Sequence, residues 1–345
     1  ENWGFGMVPG SNATAGDVVV FALTDQASYS VNTHSGNPYI VKEMRFEGTS
    51  DWTFYNAHRD IGLNNPESGG TALFTHNGSG SVTLNCDLIM QDDTVFGGIG
   101  SGTITINGSP FHSDYGPAVG VAESGGLTKN GDYTLVVNTV ANYAGETVIN
   151  AGALLFNGES AAVNSGWIEG QPDTYYNPVT MAAVTVNNGG TLGGTGILRA
   201  PVTVHSGGML SPGASAGVFT VDSLTLDAGS TTLMELGGLT AGNGAGYHDQ
   251  VLVTDLLSLG GTLELALLGG FEPEIGDSFV LFEYGSLGAT HNAFDTLSIP
   301  FDGEFTISYG TGTNSQVVLR AVPEPGALVL LLLGLAALLL RRNRS

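Results

Sequence analysis

The sequence predicts an all-β chain wound as a parallel β-helix, or solenoid, that ends in a single C-terminal hydrophobic helix. Three observations predict it. A β-branched run, a small-residue turn with glycine, and a following Thr or Ala with Leu recur as TVINAGALL (147–155), VTVNNGGTL (184–192), VTVHSGGML (202–210), LTLDAGSTTL (224–233) and LLSLGGTL (256–263). Marked by their turn glycines, Gly189 to Gly207 is 18 residues and Gly207 to Gly229 is 22, while the 37 from Gly152 to Gly189 read as two such intervals. A period of about 20 residues is the size of one solenoid coil. Helical periodicity is nearly absent until Ala327–Leu340, an apolar run of 14 residues.

Taken in order, residues 1–126 carry SDWTFYNAHRDIGLNN, ALFTHNGSGSVTLNCDLIM and GTITINGSP, which alternate as strands and turns and predict irregular N-terminal coils. Residues 127–267 hold the regular repeats. Their inward Val, Leu and Ile form a continuous column, outward Thr, Asn and Ser stay wet, and glycine supplies positive φ at the corners. Two stretches interrupt them: GGLTAGNGAGYHDQ, which bulges from the stack, and SGWIEGQPDTYYNPVT (165–180). The second brings Trp167, Tyr175 and Tyr176 onto a loop, either as a platform for sugar rings or, more commonly, as cover over a solenoid face. Residues 268–321, with FEPEIGDSFVLFEYGS and SQVVLRAV, predict strands of a C-terminal cap, which an open solenoid end requires. Residues 322–345 are a segment apart.

The stretch LTKNGDYTLVVNTVANYAGETVINAGALLFNG (127–158) resembles the autotransporter-associated β-strand repeat at Leu127, Thr128, Lys129, Gly131, Thr134, Leu135, Tyr143, Gly145, Asn150, Ala151, Gly152 and Leu154; Tyr133 replaces the repeat's second glycine. GGTLGGTGILRAPVTVHSGGMLSPGASAG (189–217) is similar to the repeats that follow it in that family. The resemblance implies a right-handed parallel β-helix displayed outside the cell. The family's C-terminal membrane β-barrel needs many alternating strands of about ten residues. Only 24 residues follow Ala321 here, so the end of the chain is expected to do something else.

That end reads Val322-Pro323-Glu324-Pro325-Gly326, then Ala327–Leu340, then Arg341-Arg342-Asn343-Arg344. Pro325 forces Glu324 into an extended conformation and fits a first helical turn, so a helix starts there and places Glu324 beside its positive end. Fourteen residues give about 21 Å of helix against a hydrocarbon core of roughly 30 Å, short for a lone permanent span. Arg341, Arg342 and Arg344 would stay cytoplasmic as a basic stop, leaving everything before Pro323 on the far side. The three-part order resembles the PEP-CTERM sorting signal. The resemblance implies recognition of Pro323, Glu324 and Pro325 by an exosortase-type membrane protease, transient inner-membrane anchoring through 327–340, and delivery to the surface or matrix of a Gram-negative-type bacterium.

Composition narrows the function. Nine basic against 32 acidic residues give a net charge of −23, and three of the basic residues are in the tail, so residues 1–340 carry −26. Such a surface repels phosphate backbones, which excludes nucleic acid as a partner. Cys86 is the single cysteine, ruling out an internal disulfide, and its alternating context predicts a buried, structural side chain. From Asp60 to Leu198 the one basic residue is Lys129, which argues against lyase chemistry on acidic sugars. Asp92 and Asp93, adjacent on the chain, point to opposite faces if on a strand and read as a solvated turn. The seven histidines lack zinc-ligand spacing, and His205 reads as an outward polar residue. We expect no cofactor, no metal and no enzymatic activity. The expected function is that of an exported structural or adhesive surface protein; the alternative is a β-helix that binds or cleaves extracellular polysaccharide.

Overall fold

The structure, a computed structural model, describes residues 18–22, 27–33, 39–56, 61–67, 69–86, 88–90, 92–108, 111–112, 125–160, 181–299, 301, 303–312 and 315–323. All the secondary-structure elements among them are β-strands, arranged as sheets of 14, 11 and 5 strands. The chain visits these sheets in rotation. Val18–Phe21, Glu43–Phe46 and Ala72–His76 are neighbours in the first sheet; Ser28–Thr33, Asp51–Asn56 and Val82–Asn85 in the second; Tyr39–Val41, Ile61–Leu63 and Leu88–Met90 in the third. Strands of successive coils pair in parallel, as expected of a solenoid. The expected C-terminal helix lies outside the described residues, among which no helix is long and apolar enough to cross a membrane.

The third sheet ends at Ala141–Asn142. Beyond it the first-sheet strands lengthen to Ile197–Val204, Val218–Leu226 and Gln250–Leu259, with register shifts at Leu198/Pro201, Val221/Leu224 and Val253/Leu256. The bend that a third side would make is taken up within these strands. Pro201, which has no N–H to give a ladder, occupies one of the irregular positions.

Period-2 alternation sorts the side chains. In the second sheet Trp52, Val82, Ile104, Leu135, Leu154, Leu192 and Leu210 lie one above another and are all buried. In the first, the inward row runs Phe74, Phe96, Lys129, Ile149, Val186, Val204, Leu226. Each fully buried aliphatic or phenyl side chain contributes about 1.5–3 kcal/mol, so the stack is held chiefly by these rows. At the N-terminal end the rings of Phe21, Phe46, Phe74 and Phe96 stack in sequence, with centroids 4.7, 5.2 and 5.2 Å apart.

Glycine does what the turns require. Gly152, Gly189, Gly207 and Gly229 have φ of 65°, 88°, 80° and 81°, values that Cβ-bearing residues avoid. Gly131 serves a different need: a Cβ there would lie 2.2 Å from the ring of Tyr133, so the Tyr133 that breaks the repeat pattern is accommodated by the glycine two residues before it.

One expectation is corrected. The 37 residues from Gly152 to Gly189 form a single coil, because Thr147–Ile149 pairs directly with Val184–Val186 and Gly152–Phe156 with Gly190–Gly194. The extra residues fall between Ser160 and Met181, outside the described residues. Spacing between turn glycines counts residues, whereas register counts coils.

Candidate functional site

The C-terminal end of the solenoid positions the root of the tail. Strand Ser278–Asn292 pairs in parallel with Gln250–Leu259, the last parallel addition to the first sheet. Its other edge receives Ser315–Val322 running antiparallel, and that closing strand is flanked on its far side by Glu304–Tyr309, again antiparallel. SQVVLRAV alternates, so Val317, Leu319 and Ala321 are buried while Gln316 and Arg320 stay exposed. Phe279, Leu281 and Phe282 are buried beside them. Tyr284 Oη donates to the Gly310 carbonyl at 2.6 Å, tying the returning hairpin to the end.

The final described residues are held firmly. Ala321 donates its N–H to the Asp277 carbonyl and accepts from Gly276 N–H, both at 3.0 Å, and Val322 lies opposite Glu304. Pro323 follows, half-buried, with no N–H to extend the ladder. Of the predicted recognition tripeptide Pro323 is thus placed at the end of the closing strand. Glu324 and Pro325, the apolar run 327–340, and Arg341, Arg342 and Arg344 lie outside the described residues. So do Trp167, Tyr175 and Tyr176 of the aromatic loop.

Elsewhere the polar side chains brace turns. Asp92 and Asp93 are more than a solvated turn: Asp92 Oδ2 accepts the Asn65 N–H and Asp93 Oδ1 the Gly126 N–H, each at 2.7 Å, so the two carboxylates fasten neighbouring coils. Cys86 is buried, as its context predicts. His205 is exposed, with Nδ1 2.6 Å from Asp227 Oδ2.

The alternation that buries Leu127 and leaves Thr128 half-buried also turns Lys129 inward, where it is fully buried. Its ammonium donates to the carbonyls of Gly131 and Ala151, on successive corners, and lies 4.0 Å from the centroid of the Tyr133 ring. Loss of water pushes its pKa down to about 8, against a smaller upward pull from Asp132.

The glycine-rich loop between Thr231–Leu236 and Gln250–Leu259 is anchored by a second buried charge. Asp249 takes the Gly217 N–H on Oδ1 at 2.6 Å and the Glu235 N–H on Oδ2 at 2.8 Å. Glu235 Oε2 in turn accepts from Ala216 N–H at 3.0 Å. Ser215 and Ala216 there have φ of 96° and 33°, strained for residues with a Cβ. Desolvation pushes Asp249 up to about 7; the two N–H donors oppose that shift and the Glu235 charge adds to it.

Sequence reasoning also missed two side-chain ladders. Asn107 donates to Asn85, Asn138 to Asn107 and Asn157 to Asn138, at 3.0, 2.8 and 2.9 Å, and Thr195 N–H closes on Asn157. A second column runs Asn187 to Asn150 to Asn130, at 2.7 and 2.8 Å. The signal was present in the recurring Asn-Gly corners 107–108, 130–131 and 157–158.

Residues 321–344 match the PEP-CTERM protein-sorting motif. The motif begins inside the closing strand, and it marks the chain for export, membrane anchoring and exosortase-dependent sorting. The chain is also similar to the adhesin BmaC autotransporter of Brucella suis biovar 1 (strain 1330), 32% identical over 121 residues. That similarity spans 35% of this chain and 3% of the adhesin, so the present chain corresponds to a small part of that protein.

Proposed function

We propose that this chain is an exported, non-enzymatic surface protein, a stiff acidic β-solenoid of structural or adhesive role that an exosortase-type membrane protease delivers by removing the tail. One observation carries the reading. The sorting motif starts at Ala321, within the last strand of the fold, so the entire body lies on one side of the tail. With Arg341, Arg342 and Arg344 retained in the cytoplasm, that side is the exported one. The winding is right-handed in this reading, and each added coil extends the molecule by about 4.8 Å and adds lateral surface without new chemistry. The similarity to an adhesin supports a role in contact.

The experiment is a deletion of 324–345 in the exporting cells. The body should remain folded and be absent from the cell surface, read by labelling intact cells. Surface display of the shortened chain at the level of the full one would contradict the proposal.

A further inference from the structure

The tail leaves the fold without a spacer. Its motif begins at Ala321, a residue 6% exposed whose N–H and carbonyl are both bound by the 276–277 turn. The closing strand is paired with Glu304–Tyr309 as far as Val322 and with Ser278–Asn292 as far as Arg320. Four residues, 323–326, separate Val322 from the first residue of the apolar run. Even fully extended they reach at most about 14 Å. Whatever grips Pro323-Glu324-Pro325 while the apolar run is in a membrane is therefore brought against the end of the solenoid.

The end face has a definite character. The turn Glu274–Asp277 braces itself: Asp277 Oδ2 accepts the Glu274 N–H at 2.7 Å and Asp277 N–H donates to the Glu274 carbonyl at 3.0 Å. It holds Ile275 outward, 72% exposed, directly beside the residues that bind Ala321. Glu272 and Glu274 on the same loop, and Glu304 opposite Val322, are exposed, and from residue 200 to 340 the sequence supplies one basic side chain, Arg320. An end face that carries exposed carboxylates and an exposed apolar side chain is repelled by an anionic lipid surface. It suits a protein surface with an apolar socket and basic rim, the ordinary anatomy of a specific contact.

We propose that the end of the solenoid formed by the Glu274–Asp277 turn, Ile275 at its tip and Glu304 at the start of the flanking strand is a docking surface for the membrane protease that reads the tail. Tail and cap are then recognised together. The proposal rests on the reading of the tail as a removable sorting signal.

The test follows processing of the full chain in the exporting cells, by pulse-labelling and intact mass, in three forms. These are the unaltered chain, Ile275→Asp, and a chain with eight Gly/Ser residues inserted between Val322 and Pro323. Neither change touches the core, and unchanged thermal unfolding confirms that. Loss of an anchoring contact should slow tail removal about fivefold or more in both altered forms. Equal rates in all three would overturn the docking surface, as would faster removal from the lengthened chain, which would make the cap an obstacle. A photoreactive residue at position 275 of the full chain should cross-link to the protease; adducts with lipid alone would assign the face to the membrane and overturn the proposal. An unaltered chain that keeps its tail would instead refute the sorting reading, a separate outcome.

Discussion

Lys129 and Val186 occupy the same inward row, two coils apart, and they predict opposite things. Val186 is fully buried, with Ile149 and Val204 on either side of it in the row. Val186→Asp should destabilise by about 3–5 kcal/mol or unfold the body, seen as a collapse in Tm. An unchanged melting curve would count against its inward placement. Lys129 is tolerated because two corner carbonyls and the Tyr133 ring receive its ammonium. Its folded pKa, near 8, is below the ordinary 10.5, so the unfolded chain binds the extra proton between those values. Stability is therefore expected to rise with pH across that window, and Lys129→Met should flatten the rise in urea unfolding measured from pH 8 to 10.5.

At the scale of elements, corners and loops carry the polar bonds. Asn138 both donates and accepts in its ladder, so Asn138→Ala should cost about 1–2 kcal/mol, measured by urea unfolding. The glycine-rich loop depends more heavily on one side chain. Asp249→Ala removes the acceptor for two backbone N–H groups, and about 1–3 kcal/mol of local stability should go with each donor left unpaired. Hydrogen exchange should then quicken at Gly217 and Glu235 while the N-terminal coils keep their protection; uniform change along the chain would speak against a local clamp. Repeated Val-Thr-Val and Gly-Gly patterns made the strands and corners readable from sequence alone, and alternation alone places Lys129 inside. The coil count between Gly152 and Gly189 was not readable, because spacing between glycines does not reveal which strands pair, and Thr147–Ile149 pairs directly with Val184–Val186. Nor was the Asp249 clamp, whose partners Gly217 and Glu235 are 32 and 14 residues away and meet only through stacking.

For the whole molecule, shape and address are joined at one strand. The body is a column of coils with three sides near its N-terminus and longer, bent strands beyond Asn142, and antiparallel strands close its C-terminal end. The sorting motif begins in the last of those strands. The tail's chemistry was legible as a Pro-Glu-Pro, an apolar run and three arginines. Its lack of a spacer was not, because only the pairing of Ala321 and Val322 shows that the fold extends to Pro323. If this solenoid is delivered by removal of its tail, the intact mass of the form recovered from the surface of native cells should correspond to a chain ending at about Pro323; a surface form that still carries Arg344 would refute delivery by tail removal.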